Sequence, residues 1–153
     1  MVRIIGIVVI VLGVVAIAIG GVFIGQGIAK NTLIVDRMNV EKVSLAIDPN
    51  NPGVYTQIND AVAAQEAADT IASHRRSIAP SYQELLDGGQ FDPTNPKDLT
   101  YAQAMNLENY LYMAVTAFGL VQVVLACGAF MVVVGIAIGG IGVVLVRLSR
   151  TAA

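Results

Sequence analysis

The stretch that decides the fold is "GIVVIVLGVVAIAIGGVFIGQG", which runs from Gly6 to Gly27. It contains no charged residue, and glycine recurs in it every seven positions. About 20 apolar residues are enough to cross the hydrocarbon core of a bilayer. A segment in lipid must satisfy its own backbone hydrogen bonds, so it is expected to be helical. The sequence therefore predicts a first transmembrane helix within residues 1–29.

A second charge-free stretch extends from Asn109 to Val146. It predicts a second transmembrane helix over residues 109–147, with a short cytoplasmic tail at 148–153. Because no Pro or Gly interrupts the chain from position 101 to 118, this helix is expected to begin outside the lipid, near Tyr101. Thr100 and Gln103 form a potential capping box at that start.

Composition and charge support a membrane protein whose middle segment is exposed to water. Hydrophobic residues make up 56% of the chain and charged residues 13%, against about 25% charged in soluble domains. The polar loop at 30–108 holds six basic and eleven acidic residues, a net charge of −5, whereas the three remaining arginines lie near the chain ends. By the positive-inside rule, both termini are expected to be cytoplasmic and the loop extracytoplasmic. The segment Ala16–Ala18 mimics a signal-peptide cleavage site, but the apolar run continues beyond it, which favours an uncleaved anchor.

The loop is predicted to be a small, mostly helical domain. Alternation in "VEKVSLAI" places Val43, Leu45 and Ile47 on one side of a short strand, and "DPNNPG" at 48–53 predicts a turn. The Ala-rich segment 59–76 favours a helix, with Val62 and Ile71 among the anchors of its apolar side.

Two further signals follow in the loop. Ser81 and Glu84 predict a capping box that opens a helix of about two turns, and Gly88 and Gly89 are expected to end it. "FDPTNPKD" at 91–98 predicts a second turn cluster. Three aromatic residues are expected to mark the outer membrane interface, where such side chains settle: Tyr110, Tyr112 and Phe118.

The glycine spacing predicts an antiparallel transmembrane hairpin. Helices in lipid associate through close backbone contact, which small residues permit, and a heptad spacing keeps those residues on one face. The expected contacts are Gly6 with Gly142, Gly13 with Gly135 and Gly20 with Gly128, and the same register places the Gln26 and Gln122 amides opposite each other. Gly27 and Gly139 lie on the same two faces. The alternative is that glycine is simply frequent in membrane helices and that the spacing is a coincidence.

Four other glycines do not fit this packing face. Gly21 and Gly25 form a GxxxG pattern turned away from it, and Gly119 and Gly140 point off the second helix. A single hairpin has no use for a second smooth face. These four residues are therefore predicted to contact additional helices, from partner proteins or from further copies of the chain.

The candidates for chemistry are few. His74 is the single histidine and Cys127 the single cysteine, which leaves no metal-binding set. His74 is expected to complement a helix C-terminus, and Cys127 to be an inert packing thiol. Arg75 and Arg76 are expected to be a solvated pair bonded to loop carboxylates, with grip on an anionic partner as the alternative. The acidic residues Glu66, Asp69, Glu84, Asp87 and Asp92 match no EF-hand spacing.

Four segments resemble a family of small two-pass bacterial membrane proteins of unknown function, found especially in actinobacteria. They are "RIIGIVVIVLGVVAIAIGGV", "AADTIASH", "SYQEL" and "AQAMNLENYLYMAVTAFGLVQVVLACGAFMVVVGIAI". The chain departs from that family in its turn-rich inserts around "DPNNPG" and "FDPTNPKD". The resemblance implies a bacterial cytoplasmic membrane location but no activity. Some members carry an aromatic-ring-opening dioxygenase label, which a lone histidine does not support because the iron triad needs two.

The sequence thus favours an all-α, non-catalytic, two-pass membrane subunit that packs against helices of a larger complex, such as a respiratory or envelope assembly. A homo-oligomer or pore is the first alternative, and a sensor with a ligand-binding outer domain is the second. No catalytic residue, cofactor or nucleic-acid partner is expected, because no catalytic constellation is present.

Overall fold

The computed structural model describes residues 2–41, 44–46 and 55–151, and most of them are helical. Helix α1 (Val2–Val40) is followed by strands β1 (Ser44–Ala46) and β2 (Tyr55–Gln57), and then by helices α2 (Ala61–Ile78), α3 (Tyr82–Leu86) and α4 (Pro96–Thr151). The two strands pair antiparallel, with Leu45 opposite Thr56. The predicted strand is therefore present over Ser44–Ala46. Three other predictions lie outside the described residues: Val43, Ile47 and the turn at 48–53.

The two long helices extend further than the sequence predicted. α1 continues to Val40, well past Ala29, because the segment that follows contains no Pro or Gly to stop it. α4 begins at Pro96 and not near Tyr101. Pro96 occupies the first helical position, which proline favours because its missing N–H needs no partner there. The Asn95 side chain accepts a hydrogen bond of 3.0 Å from the Lys97 N–H and so caps the helix.

The predicted capping box at Thr100 is consequently wrong. Thr100 lies inside the first turns of α4, and its hydroxyl donates to the Pro96 carbonyl at 2.7 Å. Part of the turn cluster predicted at 91–98 is also helical. In both cases the proline that suggested a turn is the residue that starts the helix.

The chain divides into two compact units. The first comprises residues 1–31 and 120–153 and contains the most apolar parts of α1 and α4. Its side-chain packing is sparse apart from the glycine contacts described below: many large apolar side chains are exposed, among them Ile4, Leu12 and Phe130.

The second unit comprises residues 32–119 and holds the buried core. One face of α2 consists of buried alanines, which allow α2 to approach the neighbouring helices closely. These alanines pack with Ile58 and with Leu111, Ala114 and Phe118 of α4, while Ile34 and Met38 cover the edge. A smaller cluster joins Ala79, Leu85 and Tyr101.

One of the two anchors predicted for α2 needs correction. Val62 is 66% exposed and is not an anchor; the buried face consists of Ala64, Ala67, Ala68 and Ala72. Ile71 does pack against the core. The helix begins after Asp60, whose carboxylate accepts a hydrogen bond of 2.8 Å from the Ala63 N–H. The buried face of α2 is therefore the face with the smallest side chains, because these allow the backbone of α2 to approach its neighbours closely.

Helix α3 starts where predicted but is shorter. The Ser81 hydroxyl accepts a hydrogen bond from the Glu84 N–H at 3.2 Å and donates to the Glu84 carboxylate at 2.7 Å. The helix ends after Leu86, because Asp87 adopts the left-handed conformation with φ of 44°. Gly88 continues in the positive-φ region at 78°. The chain thus reverses one residue before the predicted glycine stop.

Candidate functional site

The first candidate surface is a line of glycine contacts inside the first compact unit. Ideal Cβ positions built on the glycines show what each faces: Gly6 faces the Gly142 carbonyl, Gly13 the Gly135 carbonyl and Gly20 the Gly128 carbonyl, at 3.0, 2.7 and 2.6 Å. These are the pairs that the heptad register predicts. Along these pairs the residue number increases on α1 and decreases on α4, so the two segments run antiparallel there. We call this line of contacts the glycine seam.

Every glycine of these pairs except Gly13, and Gly27 as well, also faces a side chain of the opposite helix. Gly142, Gly135 and Gly128 face Ile10, Ile17 and Ile24, which themselves recur every seven residues. In the other direction, Gly6 faces Val146, Gly20 faces Val132 and Gly27 faces Leu125. Because glycine has no side chain, it leaves a space, and the opposing branched side chain occupies that space. This arrangement explains why both helices repeat the same spacing.

The closest approach is at Gly13. A methyl group at this position would lie 2.7 Å from both the Gly135 carbonyl oxygen and the Gly139 amide nitrogen. Both atoms belong to backbone and cannot rotate away. Gly139 therefore contributes its backbone to the seam, although a methyl group built on Gly139 itself would meet nothing within 4 Å in the described structure.

The four glycines predicted to face partners have free space around them. We placed an ideal Cβ on each of these glycines and left aside its chain neighbours and the nearby backbone of its own helix. Among the described residues, no other atom then lies within 4 Å of that Cβ at Gly21, Gly25, Gly119 and Gly140. Gly21 and Gly25 are exposed, as is Gly140. The chain itself does not fill the notch that these residues leave.

The predicted bond between the two glutamines is wrong. The Gln26 and Gln122 side chains are exposed, and no hydrogen bond joins them. Gln26 follows the helix surface one residue before Gly27, which turns it about 100° away from the seam. The register that brings the glycines together therefore directs the amide outward.

A second candidate feature is a polar cluster in the second compact unit, which sequence reasoning missed. The Arg75 guanidinium of α2 donates from Nε to Glu108 Oε2 at 2.7 Å and from Nη2 to Oε1 at 3.5 Å. Its Nη1 donates to the Tyr101 hydroxyl, and the Tyr101 ring lies 5.0 Å from the guanidinium carbon. The Arg75 and Glu108 side chains are only 13% and 11% exposed. The cluster ties α2 to α4.

The electrostatics of this cluster indicate a structural tie. The hydrogen bond from Arg75 to Glu108 raises the pKa of the guanidinium above its usual value, and burial only partly opposes this effect. The guanidinium therefore stays charged near neutral pH and binds the carboxylate as a permanent cation. A signal for it was available in the sequence: Tyr101, Met105 and Glu108 share one face of α4. Arg75 binds a loop carboxylate as expected, but the expectation that it is solvated is wrong. Arg76 is exposed.

Further polar contacts hold the surface of the same unit. Asp69 accepts a hydrogen bond of 3.0 Å from the Tyr112 hydroxyl. Asp92 accepts from the hydroxyl and the N–H of Thr94, at 2.6 and 2.8 Å, and these bonds lower its pKa. These carboxylates cap turns and bind neighbouring side chains. Within the described ranges, no three His, Cys, Asp or Glu residues gather closely enough to hold a metal ion.

The remaining sequence candidates have mixed outcomes. His74 lies exposed in the last turns of α2, where it was expected. Cys127 is exposed and does not pack against this chain, contrary to the prediction. Phe118 is 2% exposed in the core of the second unit and is not an interface residue; Tyr110 is 59% exposed. Phe118 is drawn inward because the alanine face of α2 leaves room for its ring.

The second unit also contains an open groove of about 560 Å³. It lies between the end of α1 and the early turns of α4. Its lining residues are Arg37, Met38, Glu41, Leu107, Tyr110 and Leu111. The volume lies within the range of roughly 300–1,000 Å³ that is typical of small-molecule sites. The sensor alternative requires such a cavity in this part of the chain.

By length and composition, α1 and α4 are both able to cross a membrane. Only 11% of the most apolar window of each helix is buried, unlike the core helix of a soluble protein. No protein-family model, curated protein or solved structure matches the chain. Its function must therefore be argued from its own surfaces.

Proposed function

We propose that this chain is a non-catalytic, two-pass integral membrane subunit that docks on helices of a larger assembly, possessing an extracytoplasmic domain between its spans. The single observation that carries the proposal is the contrast between two sets of glycines on α1. Gly6, Gly13, Gly20 and Gly27 are buried, whereas Gly21 and Gly25 face open space.

That contrast matters because packing in lipid depends on close backbone approach. The glycine seam uses its small residues within the chain. Gly21 and Gly25 are spaced for the same kind of contact, yet no helix in the described part of the chain fills their notch. A helix from a partner protein supplies the missing surface. The tie between Arg75 and Glu108 supports a structural role, because it engages two largely buried charges in bonds between helices.

The test is gentle detergent extraction, followed by mass determination and identification of the chains that co-purify. The proposal predicts a stable set of foreign membrane proteins in defined ratio. The double variant Gly21→Leu with Gly25→Leu is expected to release them, because leucine fills the notch. Val8→Leu is the matched control, since Val8 is 52% exposed and lies elsewhere on α1.

Two results would contradict the hetero-complex. A multimer of this chain alone would favour the homo-oligomer or pore. An unchanged set of partners in the double glycine variant would show that the GxxxG face does not hold them.

A further inference from the structure

The groove of the second unit combines an apolar floor with two opposite charges at its rim. Met38 and Leu111 belong to the core or pack against it, and Leu111 is 2% exposed. Leu107 and Tyr110 form the α4 wall, and both are exposed. Arg37 and Glu41 stand on the α1 side. The floor is therefore held by the core, while the walls and the charges remain accessible.

Within the described residues, the fold does not pair the two rim charges. Arg37 and Glu41 are exposed, and no ion pair joins them to each other or to another described residue. An Arg that precedes a Glu by four residues is also the less favourable order for a pair on one helix. Both side chains are therefore accessible to a ligand from solvent.

The position of Glu41 strengthens this reading. Its N–H donates to the Arg37 carbonyl at 3.2 Å, so Glu41 continues the last turn of α1. A carboxylate at a helix C-terminus is disfavoured by the helix dipole, whereas Arg37 is favoured there. The negative charge is thus placed against the local field, and the backbones of Arg37 and Glu41 lie about one helical turn apart, a rise of about 6 Å.

From this geometry we infer that the groove binds a zwitterionic phospholipid that carries a primary ammonium, of the ethanolamine type. Arg37 binds the phosphate, Glu41 accepts hydrogen bonds from the ammonium, and acyl carbons lie along Met38, Leu107 and Tyr110. The phosphate and ammonium of this headgroup are separated by two carbons, a span similar to one helical turn. Charge complementarity selects the headgroup, because a lipid such as phosphatidylglycerol offers the phosphate to Arg37 but brings no positive charge to Glu41.

The choice of a lipid as occupant rests on the proposed membrane location, which places this surface beside a lipid supply. The ligand is nevertheless tested separately from the partners. The full-length purified chain is titrated in detergent with dioctanoylphosphatidylethanolamine, and binding is followed by native mass spectrometry. The matched phosphatidylglycerol and phosphatidylcholine are the comparison ligands, since one lacks the ammonium and the other cannot donate from it.

The wild-type chain is expected to bind the ethanolamine lipid roughly tenfold more tightly than either comparison lipid, as is typical of a charge-assisted hydrogen bond. Arg37→Gln is expected to weaken binding of all three lipids, because all carry the phosphate. Glu41→Gln is expected to abolish the preference, by weakening the ethanolamine lipid and improving phosphatidylglycerol. Asp36→Asn is the matched control on the same helix: Asp36 is exposed and does not line the groove.

Three results would overturn the inference. The first is equal binding of the ethanolamine and glycerol lipids to the wild-type chain, or no binding of either. The second is an equal loss of preference in Asp36→Asn and Glu41→Gln. The third is equally tight binding of glycerophosphoethanolamine, which has the headgroup without acyl chains, because the apolar groove would then contribute nothing.

Discussion

Glu108 is a charged side chain that the fold keeps largely away from water. Its carboxylate is held by the Arg75 guanidinium, which also contacts the hydroxyl and the ring of Tyr101. A buried charge is tolerated when its partner is present and is costly when that partner is removed. The stability of the second unit therefore depends on both residues together more than on either charge alone.

We expect Glu108→Gln to destabilise the contact between α2 and α4 by about 2 kcal/mol, because Arg75 keeps its charge and loses its counterion. The change is measured by hydrogen exchange of the α2 amides, which are expected to exchange about thirtyfold faster. Glu66→Gln is the matched control, since Glu66 lies exposed on the same unit and its substitution is expected to change nothing.

A double variant separates the charge from the packing. Arg75→Met combined with Glu108→Leu removes both charges and leaves apolar groups of similar size. It is expected to be more stable than Glu108→Gln, because no unpaired charge remains. A double variant less stable than the single one would show that the polar bonds themselves, and not the avoided charge, hold the two helices.

The sequence predicts single residues well where one interaction dominates. Ser81 caps α3 as expected because its hydroxyl needs only its neighbour Glu84. It fails where several elements compete for a side chain. Phe118 is an aromatic residue of the kind found at membrane interfaces, yet it is buried against the alanine face of α2. This contact joins two segments that are distant in the sequence, so the local sequence does not predict it.

The glycine seam shows that the pairing of two helices is specified by residues without a side chain. Heptad spacing on both helices fixes the antiparallel register, and the opposing Ile10, Ile17 and Ile24 occupy the space above the glycines of α4. Tolerance to a methyl group is expected to vary along the seam. It depends on whether the facing atoms are backbone, as at Gly13, or a flexible side chain, as at Gly27.

We expect Gly13→Ala to destabilise the helix pair by about 2 kcal/mol, because the added methyl group overpacks a contact made only of backbone. Gly27→Ala is expected to cost less, because the Leu125 side chain can rotate. Gly25→Ala is the matched control, since its Cβ meets nothing within 4 Å among the described residues. The midpoint of unfolding in a denaturing detergent measures all three, and equal shifts would contradict a packed seam.

Element limits depend on stop signals, which the sequence shows only in part. The continuation of α1 to Val40 follows from the absence of a breaker after Gly27, which is a weak signal. The sequence alone does not predict the start of α4 at Pro96, because proline is frequent both in turns and at the first position of helices. The Asn95 side chain decides between the two by capping the helix.

Across the whole molecule, charge is divided between the middle segment and the ends. Residues 30–108 carry a net charge of −5, while Arg3, Arg147 and Arg150 flank the apolar runs. In a membrane this asymmetry is expected to keep the arginines on the cytoplasmic side, which is the orientation that we propose. The predicted membrane orientation thus depends on how Lys and Arg are distributed along the sequence and not on any single contact.

Cysteine labelling in intact cells tests this orientation. With Cys127→Ala as background, Ser73→Cys is expected to react with a membrane-impermeant maleimide, because Ser73 is exposed on α2 and the positive-inside rule places that helix outside. Ala153→Cys is expected to react only after permeabilisation. The wild-type chain is the control: its lone Cys127 is expected to resist in both conditions, since a water-soluble maleimide does not reach a thiol within lipid. The opposite labelling pattern would place both termini outside, and labelling of both sites in intact cells would rule out two membrane crossings.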